Sequence, residues 1–370
     1  HKPMKEGDKI QVGNVVVEAL ASPGHTYEHM SWLIREQKNG REIALFSGGS
    51  LIVGSSGRTD LLGHHHHPIL TEHQFKTLQR YKELPRDLPV LPTHGAGSFC
   101  TSSVSSPERV TSIGQELRSN PAFKTQTLEE FVGIVNSNLR RYPSYYKYMA
   151  NLNRQGVPVY PSVPLPQKIS ADDTNSHLSD LIIVDLRDRI SFAKKHIEGS
   201  INVELTPSFG SYYGWLIPLE GRSVLVLPDP VEESLNEAMV QLFRIGFENT
   251  VFGFLTTEDL DALSIPISKY RVGYENELVD LLSANQAQFL LDVRDPVEFQ
   301  QEAIEGSHNV FFADIPEGKN LPGLGDTCPW VLCVSGERSA VAASLLERMQ
   351  VTPIPLVDGG VPTTLAKLKK

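Results

Sequence analysis

The sequence has few cysteines, no long apolar run and no excess of positive charge. Only three of the 370 residues are cysteine, which excludes a disulfide framework and favours a reducing compartment, so we expect a cytoplasmic protein. No run of about 18 apolar residues occurs, so we expect no membrane span and no membrane partner. Lysine and arginine number 34 against 44 acidic residues, and this balance, without a basic block, argues against nucleic acid as a partner.

The strongest functional signal is a loop that begins at Cys333 and ends at Arg338. Residues 330–332 are large and apolar, which is typical of a short buried strand, and apolar positions after residue 339 recur at helical spacing. Gly336 allows a tight turn in which backbone N–H groups face the loop centre. The start of the following helix favours a thiolate. We therefore predict that Cys333 is a nucleophile; the alternative is an ordinary buried thiol at the end of a strand.

The C-terminal half of the chain contains an internal repeat. Three polar residues of the first copy recur in the second, each 107 positions later: Asp185, Arg187 and Asn202 correspond to Asp292, Arg294 and Asn309. A constant offset predicts that the two copies share one fold.

The first copy lacks the reactive loop. It contains no cysteine, and two prolines, Pro228 and Pro230, stand in the corresponding segment and remove backbone N–H donors. Asp229, Glu232 and Glu233 add negative charge where an anion would bind. We predict that this copy is catalytically silent and serves for packing and spacing.

Residues from about 274 to 370 resemble a rhodanese domain, an α/β sulfurtransferase fold. The resemblance implies that Cys333 and Arg338 are catalytic and that Asp292 and Arg294 support the loop. It also implies a set of substrate-binding loop residues: Val334, Ser335, Gly336, Glu337 and Ser339. The Cys-x4-Arg spacing suits a cysteine persulfide, and such a domain needs no cofactor. Cys328 is either a resolving thiol for oxidised Cys333 or, as the spacing favours, an incidental loop cysteine.

The first part of the chain carries other patterns. Apolar residues on both sides of Gly13 and Asn14, and again around Asn39 and Gly40, predict two β-hairpins. A Pro-Gly-His-Thr segment at residues 23–26 is a signature of the metallo-β-lactamase fold, and residues from about 7 to 158 resemble its persulfide dioxygenase and glyoxalase II branch. The resemblance implies an αββα sandwich in which two histidines hold Fe(II) or Zn: His25 and His94.

Two departures argue against a complete metal site. The family motif His-x-His-x-Asp-His does not occur in the sequence, and Gly49 stands where the family has an aspartate. An iron site of two histidines and one carboxylate needs the carboxylate for charge and geometry. The chain begins with His1 and not with Met, and we interpret it as starting inside its first domain. We therefore predict that these residues hold no working iron centre.

Two further groups of residues are interpreted as structural. Four consecutive histidines, residues 64–67, cannot all face one point, so they predict a solvated loop and not a metal site. Cys100 is expected to be a packed thiol. A second helix signal covers about residues 71–84.

Proline-rich segments near residues 156–166 and 264–268 divide the α/β chain into three predicted domains. These are a metallo-β-lactamase-like domain, incomplete at its start (1–160), a silent rhodanese-like domain (161–265) and an active-type rhodanese domain (266–370). The first functional hypothesis is a sulfur-handling enzyme that transfers sulfane sulfur through a Cys333 persulfide, with small sulfur donors and acceptor thiols as partners. The alternatives are a metal-dependent thioester hydrolase of the glyoxalase II type and a non-catalytic sulfur carrier. The sequence leaves the oligomeric state open, a homo-oligomer included.

Overall fold

The computed structural model describes residues 3–93, 108–156, 159–170, 181–262, 264–286, 288–324 and 327–369. The chain divides into two compact units, His1–Tyr142 and Pro143–Lys370. The sequence places the first boundary near residue 160, whereas residues from 143 onward belong to the second unit. Within the described ranges, no helix is long and apolar enough to cross a membrane.

The strands of the first unit build one large sheet and one small one. They are β1 (Lys9–Val12), β2 (Val15–Ala21), β3 (Met30–Glu36), β4 (Glu42–Gly48), β5 (Leu51–Ile52), β6 (Ser55–Ser56), β7 (Pro89–Pro92) and β8 (Thr111–Ser112). The described residues form a six-stranded sheet in the order β1-β2-β3-β4-β7-β8, in which β4 and β7 are parallel and the other pairs antiparallel. Val12 pairs with Val15, which leaves Gly13 and Asn14 as the predicted two-residue turn. Gly13 has φ +57°, as this turn type requires.

Helices cover this sheet. They are α1 (His67–Tyr81), α2 (Ile113–Ser119), α3 (Pro121–Lys124) and α4 (Leu128–Asn138). The core beneath them joins Leu33 and Leu45 of the sheet to Leu78, Phe123 and Phe131 of the helices. A capping box, in which the Thr127 hydroxyl accepts from the Glu130 N–H, begins α4 at that point and so turns Phe131 toward the sheet.

The four consecutive histidines are only partly a loop. Helix α1 begins at His67, four residues before the predicted start, and His67 lies 3.0 Å from the hydroxyl of Thr59 and 3.0 Å from the amide oxygen of Asn136. His66 lies 2.9 Å from the Tyr27 hydroxyl. The prediction of a wholly solvated loop is therefore wrong for His67, because its ring ties the helix start to its neighbours.

The described strands of the second unit form two similar four-stranded sheets and one antiparallel pair. They are β9 (Ile182–Asp185), β10 (His196–Ile197), β11 (Ile201–Asn202), β12 (Ser223–Leu227), β13 (Val251–Thr256), β14 (Ile267–Ser268), β15 (Leu290–Asp292), β16 (His308–Asn309), β17 (Trp330–Leu332) and β18 (Ile354–Pro355). The described residues give two four-stranded parallel sheets, β11-β9-β12-β13 and β16-β15-β17-β18, with the same order of corresponding strands. The antiparallel pair is β10 with β14. The predicted repeat is confirmed.

Helices surround both sheets. They are α5 (Tyr146–Gln155), α6 (Arg189–Lys194), α7 (Phe209–Leu216), α8 (Val231–Arg244), α9 (Glu275–Ser283), α10 (Pro296–Gln301), α11 (Glu337–Glu347) and α12 (Val361–Leu368). One apolar core runs through both copies, because it includes Val184 and Leu225 of the first and Leu291, Val331 and Val341 of the second. The copies are thus halves of one packed body.

Helix α11, which follows the Cys333 loop, is bound by the silent copy at several points. The Ser344 hydroxyl accepts a hydrogen bond from the Asn202 N–H at 3.1 Å. The Arg348 guanidinium, just beyond the helix, donates to the Gly199 carbonyl at 2.7 Å. Glu347 lies 2.7 Å from Nε2 of the fully buried His196.

The Glu347 carboxylate links three segments of the second unit. Burial raises its pKa, but hydrogen bonds from His196 and Ser268 lower it by more, so the net pKa lies below the usual value of a glutamate. A carboxyl whose pKa is depressed by folding stabilises the folded state above its unfolded pKa, and that contribution is lost as the pH falls through the folded pKa.

We expect Glu347→Gln to lower the free energy of unfolding by about 1–2 kcal/mol at neutral pH, since a hydrogen bond to a charged group is lost. Urea unfolding from about pH 7 down to about pH 3 should show a weaker loss of stability toward acid in the variant than in the wild type. Glu277→Gln is the matched control, because Glu277 pairs with Arg271 at the surface and should change stability little. Equal acid dependence in wild type and Glu347→Gln would contradict the assignment.

Candidate active site around Cys333

Cys333 lies at the end of strand β17 with 1% of its surface exposed. Gly336, three residues later, has φ +94° and precedes helix α11. Its N–H donates to the Cys333 Sγ at 3.0 Å. The loop therefore curls back on the sulfur, which an L side chain at position 336 would strain.

The other residues of the loop differ in their exposure and charge. Val334 is 41% exposed beside Cys333, and Ser339 is fully buried in the first turn of α11. Burial raises the pKa of Glu337, which lies in the field of nearby charges of both signs.

The Arg338 side chain is held in place by an ion pair. Its guanidinium donates two hydrogen bonds to Glu298, at 2.6 and 3.0 Å. Burial lowers the pKa of Arg338, but this pair more than offsets the effect, and the net pKa is raised. Arg338 is thus a permanent cation with a fixed orientation. Burial raises the pKa of Tyr212, a residue of the first copy, to about 12, although Arg338 acts on it in the opposite direction. The Tyr212 hydroxyl therefore stays neutral.

A buried ion pair lies at the end of strand β15, beside strand β17. Asp292 accepts from Arg294 Nε at 3.0 Å and from its Nη2 at 2.7 Å, while the same Nη2 donates to the Glu302 carbonyl. Asn309 donates to the Asp292 and Arg294 carbonyls at 3.0 Å each. The first copy repeats the same bonds with Asp185, Arg187 and Asn202. The motif is therefore a property of the fold, and its presence does not distinguish the active-type copy from the silent one.

Besides Glu298, which pairs with Arg338, three residues at the loop were not identified from the sequence as site residues. A Cβ at Gly360 would lie 2.0 Å from the Val334 carbonyl, so this glycine permits close packing behind the loop. Arg189 and Glu204 come from the silent copy, and the Arg189 Nη1 donates to the Ser335 carbonyl at 2.6 Å. At the repeat offset of 107, Arg189 and Glu204 correspond to Pro296 and Phe311 of the second copy. Charged residues in one copy at positions that are apolar in the other were the sequence signal that could have identified them.

The first unit contains a cavity of about 500 Å³ near the residues of the metal prediction. Its lining is largely apolar or glycine: His25, His29, Met30, Trp32, Phe46, Gly48, Gly49, Leu91, Pro92 and Thr93. His25 Nδ1 lies 2.9 Å from the Arg58 carbonyl. His29 Nδ1 lies 2.8 Å from the Ser22 hydroxyl, and its Nε2 accepts from the Gly49 N–H at 3.0 Å.

These residues do not fit a metal ion. The lining, as far as the chain is described, includes no carboxylate, and both nitrogens of His29 contact the protein. No group of three or more potential ligands forms within the described residues. His94 and Cys100 lie outside them. A Cβ at Gly49 would lie 2.7 Å from the His25 ring, so position 49 does face His25 but has no side chain to offer.

We expect the purified protein to retain less than stoichiometric iron and zinc, and Gly49→Asp to raise metal retention by adding a carboxylate beside His25. Elemental analysis is the measurement. Gly133→Asp, on helix α4 with open space around it and no positive φ, is the control for an added carboxylate and should leave metal retention unchanged. Near-stoichiometric iron in the wild type would contradict this expectation.

Gly336→Ala should cost more stability than its positive φ alone explains. A Cβ at Gly336 would lie 1.9 Å from Arg189 Nη1 and 2.8 Å from the Val357 carbonyl. Gly306 has φ +79° with open space around it, so Gly306→Ala should cost only the conformational term of about 1–2 kcal/mol. We expect Gly336→Ala to cost roughly 3 kcal/mol or more in denaturant unfolding, because overpacking adds to that term. Equal losses would mean that the close approach carries no energy.

Comparison with known proteins finds relatives of two kinds. Residues 275–366 match the model of the rhodanese-like domain family. The chain is 29% identical to a hydroxyacylglutathione hydrolase of Haemophilus ducreyi over 35% of its own length and 60% of the relative. It is 29% identical to the mitochondrial persulfide dioxygenase of Homo sapiens, over 37% of this chain and 46% of that protein. The chain thus spans about half the length of the curated relatives it matches.

A solved structure extends the similarity. A metallo-β-lactamase from Staphylococcus aureus subsp. aureus COL aligns with a TM-score of 0.58 and 28% identity, over 68% of this chain and 70% of that one. This share exceeds the length of either compact unit, so the similarity includes residues of both. Together, these findings match a fusion of a metallo-β-lactamase-fold part with rhodanese-like domains.

Proposed function

We propose that this protein is a sulfurtransferase that carries sulfane sulfur on Cys333. The observation that carries the proposal is the buried Cys333 sulfur, which accepts the Gly336 N–H at the start of helix α11. N–H groups in the first turn of a helix lack intrahelical acceptors, and they favour negative charge at that end. Such a loop stabilises both a thiolate and a persulfide anion.

The transfer is redox neutral and has two displacements. The Cys333 thiolate attacks the sulfane sulfur of a persulfide or thiosulfate donor, and the sulfur–sulfur bond of the donor breaks. The leaving thiolate or sulfite takes the electron pair, and Cys333 becomes a persulfide. An acceptor thiolate then attacks the outer sulfur, which regenerates the Cys333 thiolate and yields the acceptor persulfide.

The charges around the loop favour a sulfur atom over a large oxyanion as the bound group. Arg338 is paired with Glu298, and Arg189 is paired with Glu204. Glu337 adds an acidic group in the loop. Stabilisation of the transferred sulfur therefore rests on oriented N–H groups, with Arg338 supplying a fixed positive potential.

The names of the relatives support sulfur chemistry for the whole chain. The human relative is a persulfide dioxygenase, and the family model at residues 275–366 is rhodanese-like. The similarity to hydroxyacylglutathione hydrolases fits a thioester hydrolase, but that reaction needs a metal-bound hydroxide, and the described cavity lacks a carboxylate ligand. Kinetic measurements distinguish an enzyme from a sulfur carrier that does not turn over.

We expect Cys333→Ser to lower sulfur transfer from thiosulfate or glutathione persulfide to a small thiol by at least about a thousandfold. The reason is that a serine hydroxyl is not ionised at neutral pH and cannot hold a persulfide. Cys328→Ser is the matched control, since Cys328 is exposed and five residues upstream, and it should keep wild-type rates.

The same assay tests the alternatives. Multiple turnovers that require Cys333 support the enzyme, whereas a single stoichiometric loading of Cys333 supports a carrier. Wild-type turnover in Cys333→Ser would overturn the proposal. Hydrolysis of a glutathione thioester with no sulfur transfer would replace it with the hydrolase.

A further inference from the structure

The silent copy reaches the reactive loop through one side chain. Arg189 is the first residue of helix α6, and its guanidinium binds Glu204 through Nε, at 2.8 Å, and through Nη2. The remaining nitrogen, Nη1, donates to the Ser335 carbonyl at 2.6 Å and lies 3.4 Å from the Val357 carbonyl. One copy thus places a fixed cation on the loop of the other.

The Ser335 carbonyl and the Gly336 N–H belong to the same peptide unit. In a planar trans peptide these two groups point in opposite directions. Arg189 binds the oxygen end, and Cys333 Sγ accepts from the nitrogen end at 3.0 Å. Holding the oxygen outward therefore directs the N–H inward at the sulfur, and a cation at the oxygen strengthens the N–H as a donor.

The contact between Arg189 and the loop backbone is close and mostly buried. A Cβ at Gly336 would lie 1.9 Å from Arg189 Nη1, so the guanidinium lies directly against the loop backbone. The side chains of Arg189 and Glu204 are only 16% and 10% exposed. Burial lowers the pKa of Arg189, but the pair with Glu204 more than offsets this and raises it, and Cys333 adds in the same direction. Arg189 is therefore a cation throughout the working pH range.

We propose that Arg189 of the silent copy is a positioning residue, which orients and polarises the Ser335–Gly336 peptide so that its N–H stabilises the anionic sulfur on Cys333. This inference rests on the proposed sulfur transfer for its biological meaning, and on the geometry alone for its effect on the sulfur. The copy without a cysteine thereby acts on the chemistry of the copy that has one.

The test is the pH dependence of Cys333 alkylation by iodoacetamide, followed by mass spectrometry of the Cys333 peptide in the full chain. Alkylation needs the thiolate but no sulfur donor, so it does not depend on the proposed activity. In Arg189→Met, the midpoint of the alkylation profile moves up by about 0.5–1 pH unit, because the thiolate loses a directed hydrogen bond. Arg189→Lys gives a smaller shift in the same direction, since one ammonium cannot hold Glu204 and Ser335 in the planar arrangement.

Arg348→Gln is the matched control. Arg348 also donates to a carbonyl across the two copies, at Gly199, but at the far end of helix α11. It should lower stability without moving the midpoint. An unchanged midpoint in Arg189→Met, or an equal shift in Arg348→Gln, overturns the proposal.

A second variant tests the proposal if Arg189→Met does not fold. Glu204→Gln keeps Arg189 but weakens its anchor, and the midpoint should rise by a smaller amount; no rise would count against the proposal. Sulfur transfer measured in parallel separates the two hypotheses. If Arg189→Met does not move the midpoint and the wild type transfers sulfur normally, only the proposed role of Arg189 is wrong. If Arg189→Met moves the midpoint but the wild type transfers no sulfur, only the proposed function is wrong.

Discussion

The reactive loop depends on the burial of helix α11 between the two copies of the repeat. Residues 339–346 of this helix are all buried, and several of them are small: Ser339, Ala340, Ala342, Ala343 and Ser344. Small side chains allow backbones to approach closely, so the helix packs against its own sheet and against the silent copy. Because Gly336 and Cys333 lie immediately before this helix, its position determines where the N–H groups of the loop point. A loop at the free end of an exposed helix would have no such constraint.

The ion pairs near Cys333 orient groups more than they attract ligands. Arg338 is bound by Glu298, Arg294 by Asp292 and Arg189 by Glu204. Buried pairs of this kind contribute little net stability, because desolvation offsets the Coulomb attraction. Their effect is to hold planar guanidinium groups in one place, where each also binds a backbone carbonyl or lies near the loop. Charge around the sulfur is therefore distributed as fixed dipoles and paired ions.

The two units differ in how completely their described residues form a site. In the second unit, one copy of the repeat has the cysteine and the other places Arg189 against the Ser335 carbonyl, so residues of both copies meet at the loop. In the first unit, the six-stranded sheet places His25, His29 and Gly49 around one cavity, but the lining offers imidazoles that already contact the protein.

The sequence by itself determined the repeat, the hairpins and the tight turn at Gly336. The constant offset of 107 between corresponding residues of the repeat predicts one fold for both copies, because similar local patterns form similar strands and turns. It could not determine that Arg189 binds Ser335, since the two are 146 residues apart and the contact exists only after the two copies share a core. Local propensity acts over a few residues, whereas this contact is set by how two completed sheets pack. For the same reason, His67 at the start of α1 and residues 143–155 in the second unit became apparent only in the tertiary structure.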